Sequence, residues 1–414
     1  MTIASRKVGY VAALIAIFVL AIVIRLRFLA INGGDAADQL AWAKENHFGG
    51  ITEFYLVMRD RIFRGLSEAK MWPYLPGYPA LLALLDVMGV KDLHNVRIAQ
   101  SVIDAAAIFP FAYLIRRLTN SLWISATAAL VYASGQWWAQ GSSYLVAEAL
   151  MPALVICVLA GMVVIRDRSD DLAGLAVLGF ASAALPFFRT EAILLLIPLM
   201  TWALMVSPRR VLAASVVGLA FAAPLLAWAL RNYAMHGVLA LTPPVGWYSL
   251  WSGLGQVENN AGYFVSDIRA GELLASKGIV FHTPEAEQFW RSQYLAALFE
   301  NPSHVLRAVV FRFRYIAKTC DYDGPQEMCR LVYSWFGPTT ALAFGILIWV
   351  RRRGDALLVI GPLTFAVFSL GLTYVEPRYV RYAALTYVMG AAVFASSFGR
   401  YIIFRRDGVE NDIR

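Results

Sequence analysis

The sequence predicts an all-α protein that crosses a membrane about ten times. Three observations carry that expectation. Only 15% of the 414 residues are charged, 59% are hydrophobic, and mean hydropathy is +0.59; a soluble domain carries about 25% charge. Apolar runs of spanning length recur along the chain. Basic clusters recur between those runs, all on one side of a ten-span arrangement.

A helix crossing a ~30 Å hydrocarbon core needs about 20 mostly apolar residues. Runs of that kind lie near 8–31, 96–115, 121–141, 144–165, 171–188, 190–207, 211–230, 332–350, 356–375 and 382–399. The first run continues past the length of a cleaved signal and no A-x-A site follows, so it reads as a signal anchor. Arg6/Lys7, Arg116/Arg117, Arg166/Arg168, Arg209/Arg210, Arg351–Arg353 and Arg405/Arg406 then fall together. By the positive-inside rule that side is cytoplasmic, with both termini. The net charge of +8 is explained by topology, which makes nucleic acid a poor partner.

Two long segments, 32–95 and 231–331, face the other side. The chain divides accordingly into a transmembrane module (1–231, including the loop 32–95), a loop region (232–331) and C-terminal helices with a short tail (332–414). Within the first loop, 78–90 (YPALLALLDVMGV) is apolar but too short to span. Within the second, 305–318 (VLRAVVFRFRYIAK) alternates apolar and basic residues. Both read as helices lying at the interface.

Familiar cradles for nucleotides or zinc are missing: there is no H-E-x-x-H, G-x-x-x-x-G-K-[ST] or G-x-G-x-x-G. The three cysteines are too few for a disulfide scaffold. Cys320 and Cys329 share the second long loop, and an extracytoplasmic compartment would permit a disulfide between them. Cys157 reads as packing within a span.

Polar residues gather where the spans end on the outer side. Asp35 and Asp38 follow the first span, three apart on one face of an expected helix. Locally they read as an N-cap and its N3 partner, or as a catalytic base with a second acid. Glu148 lies between the third and fourth spans and Arg189/Glu191 between the fifth and sixth. Arg231-Asn232 ends the seventh, and Glu376-Pro377-Arg378-Tyr379-Val380-Arg381 joins the last two. Arg189 with Glu191 reads either as a structural ion pair or as part of a site. Taken together, carboxylates and arginines around one outward cavity suit a phosphate-bearing lipid: arginine grips phosphate oxygens and a carboxylate deprotonates a hydroxyl. Trp247 and Tyr248, with Trp251, read as a sugar-stacking surface or as an interfacial aromatic belt; Tyr78 is a further candidate for sugar or acceptor contact.

The acidic motif after the first span, WPYLPGYPALLALL (72–85), the glutamate opening the fourth span, FRTEAILLLIP, LRNYAMHG and EPRYVRYAAL carry a resemblance over nearly the whole chain. Their order and placement resemble GT-C fold glycosyltransferases that use polyprenyl-phosphate sugars, the group of the protein O-mannosyltransferases and the lipid A aminoarabinose transferase. The resemblance implies a multi-pass enzyme of a bacterial inner membrane. It would transfer one hexose or pentose from a polyprenyl-phosphate donor to a hydroxyl of a lipid, polysaccharide or protein, with inversion, on the periplasmic or exterior face.

It also implies roles. Asp35 matches the first-loop acid and would be the general base, with Asp38 positioning the acceptor or assisting a metal. The family's acids are adjacent, whereas Ala36-Ala37 separate these two, which leaves their division of labour open. Glu148 matches the second-loop acid. Arg378 and Arg381 match the position that holds the lipid phosphate, with Arg189 and Arg231 as helpers. No cofactor is required, and Asp35, Asp38 and Glu148 would be the ligands of a Mg or Mn ion if one takes part. The rival readings are a lipid-linked glycan transporter or flippase, and an oligosaccharide ligase or polymerase. The gathering of ionisable groups at span ends, rather than at mid-membrane, favours the transferase.

Overall fold

The computed structural model describes residues 3–31, 76–236 except 169, 246–280, 283–318, 353–372 and 384–411, with the single positions 239, 345, 349 and 382. Asp35, Asp38, Cys320, Cys329, Arg378, Arg381 and nearly all of the expected span 332–350 lie outside the described residues. Among those described, every regular element is a helix, as the low charge and 20-residue apolar runs require.

The first helix, α1 (Ile3–Ile31), is a single apolar rod. Next come α2 (Gly77–Val87), α3 (Leu93–Ala106) and α4 (Ile108–Thr119), then α5 (Leu122–Ser134) and the short α6 (Gln136–Gly141). The Asp92 side chain caps α3 by accepting from the Asn95 N–H at 3.1 Å. At the far end of α4, Asn120 adopts the left-handed conformation (φ 57°) that ends a helix. Ser121 then caps α5, so two residues reverse the chain. A 3-10 turn (Ala147–Leu150) leads into α7 (Met151–Arg166).

The bundle continues with α8 (Leu172–Ser182), capped by Asp171, and the one-turn α9 (Ala184–Phe188). A second 3-10 turn (Thr190–Leu195) runs into α10 (Leu196–Val206), and α11 (Arg210–His236) follows. Gly179 brings α8 hard against α11, since a methyl there would meet the Val217 carbonyl oxygen at 2.5 Å. Short helices α12 (Gly246–Ser252) and α13 (Asp267–Ala275) precede α14 (Pro284–Glu300) and α15 (Pro302–Lys318). The last two helices are α16 (Arg353–Leu372) and α17 (Ala384–Asn411).

Among the described residues, four helical segments are long and apolar enough to cross a membrane: Val8–Ile31, Leu93–Thr119, Ala147–Arg166 and Arg210–Ala234. Leu122–Ser134, Leu172–Phe188, Thr190–Val206, Gly354–Phe365 and Ala384–Ser397 are apolar but shorter. They occupy expected runs, yet breaks at Gly135, Ala183 and Arg189 divide the helices there. Side chains are distributed as a lipid solvent demands. Val8, Val11, Ile15, Val19 and Val23 form an exposed apolar row along α1, while Arg25 is wholly buried on its other side. Cys157 is exposed on α7, not packed inside as expected.

The bundle has two distinguishable ends. At one, Arg117 on α4 pairs with Asp167 and Arg166 on α7 pairs with Asp355 on α16. Gly354 lies beside Val206 and Gly361 beside Pro198, so α16 runs antiparallel to α10 and its last residue, Leu372, reaches the opposite end. Glu148, in the turn before α7 and so separated from Arg166 by the whole of that 16-residue helix, about 24 Å at 1.5 Å per residue, marks that opposite end too.

Residues 246–318 form a second packed unit. Tyr248, Trp251, Leu254, Leu274, Ala286, Trp290 and Val305 make a core of their own. It joins the bundle through α15, whose Arg312 Nη1 donates to the Leu372 carbonyl at 3.2 Å. The helix expected at 305–318 is therefore present and starts three residues earlier; the one expected at 78–90 is α2.

Candidate functional site

Arg189 is the hub of the polar end. It sits in extended conformation (φ −145°, ψ 117°) between α9 and the second 3-10 turn, where the helix stops. Its Nε and Nη2 donate to the two oxygens of Glu191 at 3.2 and 2.5 Å. Its Nη1 donates to Glu148 at 2.5 Å. Glu148 is only 8% exposed and opens the fourth expected span from the first 3-10 turn. Three groups that sequence placed near one another in depth are thus in direct contact.

The same end holds Tyr78, 1% exposed. Its hydroxyl donates to Gln100 Oε1 at 2.8 Å, and its ring meets Phe188 edge-on. Burial pushes the Tyr78 hydroxyl pKa up, the nearby Glu148 carboxylate adds to the rise, and Arg97 opposes it. Tyr78 therefore braces the site from below and offers no face to a sugar. Gly77 permits this: a methyl there would lie 2.6 Å from the Phe187 carbonyl oxygen.

The turn that leads to Glu148 is held from α3. Gln100 Nε2 donates to the carbonyls of Ser142 and Tyr144 at 2.9 and 2.8 Å, and Arg97 Nε to that of Ser143 at 2.6 Å. Three consecutive carbonyls of a non-helical turn need such donors, since a buried unpaired carbonyl is costly. Arg97, Gln100, Ser101 and Asp104 recur at helical spacing and are all buried. They form a polar stripe along an otherwise apolar span. That spacing was the available signal for a face directed into protein.

The stripe ends on an ion pair that sequence reasoning missed. Arg25 Nε and Nη2 both reach Asp104 Oδ2 at 2.7 Å. The Tyr132 hydroxyl donates to Asp104 Oδ1 at 2.7 Å, and Arg25 lies over the Tyr132 ring. This charge pair is buried among α1, α3 and α5. It corrects the expectation that ionisable groups collect only at span ends.

Arg231 lies over the Trp228 ring with its carbon 4.7 Å from the centroid, and donates to Asn232 at 3.1 Å. Trp228 in turn meets Phe187 edge-on, two residues before Arg189, so Arg231 belongs to the same end. Trp247 and Tyr248 do not join it. Tyr248 packs on Trp290 in the second core and donates to Asp267 at 2.6 Å, while Trp247 packs on Tyr294. Both are elements of the second unit's aromatic core.

Among the described residues no group of three His, Cys, Asp or Glu side chains converges as a metal site. Glu148 and Glu191 are held by a guanidinium instead. No protein-family model matches the chain, and no curated protein matches it.

Proposed function

We propose that the chain is a GT-C type glycosyltransferase that moves a single sugar from a polyprenyl-phosphate donor to an acceptor hydroxyl at an extracytoplasmic membrane surface. One observation carries the reading: the Glu148–Arg189–Glu191 cluster. It is drawn from separate elements and stands at the bundle end opposite Arg117 and Arg166. The ordered motifs of the sequence supply the family. In this reading the remaining spans of a ten-helix bundle include 332–350, and the cluster's end faces the periplasm or cell exterior.

Chemically, Asp35 removes the proton from the acceptor hydroxyl as its oxygen attacks the anomeric carbon. The bond to the phosphate oxygen breaks, the sugar inverts, and polyprenyl phosphate departs. A positioned carboxylate base contributes typically about 10²–10⁴-fold. The phosphate is a good leaving group once its charge is met by arginine. Arg189 is already engaged by two carboxylates, so it acts as a positioning residue for Glu148. Arg378, Arg381 and Arg231 are then the phosphate-holding cations. Asp38 places the acceptor; a divalent cation, if one took part, would be held by Asp35, Asp38 and Glu148 and would supply charge to the phosphate.

A second reading, a lipid-linked glycan transporter, is favoured by one specific observation: the Arg25–Asp104 pair inside the bundle. Charges at such depth mark substrate or ion pathways in many transporters. Mass spectrometry of polyprenyl-phosphate sugars and surface glycans in a deletion strain separates these. A transferase loss leaves donor accumulated on the outer leaflet and a glycan lacking one sugar. A transporter loss strands the donor on the cytoplasmic leaflet. Unchanged donor and glycan would overturn both.

A further inference from the structure

The second unit carries an apolar surface that its own core does not use. On α15, His304, Val305, Ala308 and Arg312 are buried, while Leu306, Arg307, Val310, Phe311, Phe313 and Arg314 are exposed. Residues advance about 100° each around a helix. Leu306 and Val310 therefore lie about 40° apart on one strip, at whose edge the Phe313 ring rests on Gly371 of α16, and Arg307 and Arg314 form the strip beside it. Leu306 is 64% exposed, and Phe299, just before the helix, is 80% exposed. No acidic residue occurs anywhere in α15. In a helix facing water, an apolar strip of this kind has no compensation.

The position of α15 supplies the occupant. Arg312 is held at the last carbonyl of α16, and Gly371 lies directly under the Phe313 ring. This puts α15 at the bundle end where the candidate span Ala147–Arg166 begins, the level of the bilayer surface in the membrane arrangement proposed above. An apolar strip flanked by a basic strip at that level matches acyl chains on one side and anionic headgroups on the other.

We infer that α15 is a lipid-reading helix: it docks the 246–318 unit onto the anionic phospholipid of the adjacent leaflet, with Leu306 and Val310 inserted and Arg307 and Arg314 at the phosphates. This stands independently of the proposed sugar transfer.

The test uses the full chain in nanodiscs of phosphatidylcholine with or without phosphatidylglycerol. An environment-sensitive fluorophore is attached at Leu306→Cys, with Val310→Cys as an independent second site and Cys157, Cys320 and Cys329 replaced by Ser. Emission should shift to the blue and be quenched by lipid-borne bromine, more strongly when phosphatidylglycerol is present. Arg307→Gln with Arg314→Gln should lower the engaged-to-free ratio by about 30-fold in anionic discs, taking about 1 kcal/mol per basic residue. Quenching by aqueous iodide instead, at both sites, would overturn docking. So would protection from both quenchers, which would mean that protein covers the strip. Equal lipid quenching with and without phosphatidylglycerol would overturn the reading of anionic lipid.

Discussion

Arg189 turns one edge of its guanidinium to Glu191 and its remaining amino group to Glu148, at 2.5 Å to each partner's nearer oxygen. Two carboxylates are thereby held beside a single cation. Substituting that cation leaves like charges facing each other in a largely dry place.

Arg189→Ala is expected to destabilise the protein by about 2–3 kcal/mol, since breaking a buried pair strands its partners. Adding Glu148→Gln should recover part of the loss. Thermal unfolding of the single and double variants in detergent checks this, and a double variant no more stable than Arg189→Ala would break the proposed coupling.

Asp104→Asn is expected to cost about 3–5 kcal/mol by leaving Arg25 uncompensated inside the bundle. Arg25→Leu with Asp104→Leu should regain most of it. If that double variant folds and still supports glycan synthesis, the pair is structural. If it folds and strands donor on the cytoplasmic leaflet, the transporter reading gains.

Asp35→Asn is expected to abolish sugar transfer in membranes while donor binding persists, and Arg378→Ala to weaken donor binding. Turnover and donor affinity measured with synthetic polyprenyl-phosphate sugars decide. Full turnover by Asp35→Asn would remove Asp35 as base.

Glu287 accepts from the Trp247 N–H at 3.0 Å. Burial pushes its carboxyl above the usual range, with N–H groups of Trp247, Gly246 and Tyr248 opposing the rise. A raised acid favours the fold while protonated, so this contribution is present below the ordinary carboxylate pKa of 4.5. It is lost as pH rises through the folded value. Glu287→Gln keeps the acceptor and removes the charge. The difference in thermal midpoint between about pH 4.5 and about pH 8 should shrink; an unchanged difference would exclude Glu287 as its source.

Gly77→Ala should cost about 1–3 kcal/mol by overpacking α2 against Phe187. Because Tyr78 follows, loss of the Tyr78–Gln100 hydrogen bond should accompany it, readable as a change in tyrosine absorbance. Wild-type stability would mean that α2 shifts freely.

Apolar run length and basic pairs made the helical class legible, because composition and period act locally. Depth made Glu148, Arg189 and Glu191 legible as neighbours. The Arg189–Glu191 pair was one of two readings the sequence allowed, and it forms; the bond from Arg189 to Glu148 was not legible, since it depends on how the two 3-10 turns bring distant segments together. Arg25 and Asp104 were hidden for a different reason. Each has a nearer charged neighbour in its own run, Arg27 and Arg97; 79 residues separate the two, and the pairing exists only once α1 packs on α3. Trp247 and Tyr248 read as surface aromatics because a small helical core is built from the same residues that line interfaces.

The pairing of Arg166 with Asp355 bridges 189 residues. At about 5–20 residues per second of synthesis, Asp355 follows Arg166 out of the ribosome by roughly 10 to 40 s. The bundle's basic end is therefore closed by a residue that arrives late, and α7 must wait in the insertion machinery or the lipid with only the adjacent Asp167, 3.7 Å from Arg166 Nε, to answer its terminal charge. Nascent chains released before α16 should be the ones recognised by membrane quality control.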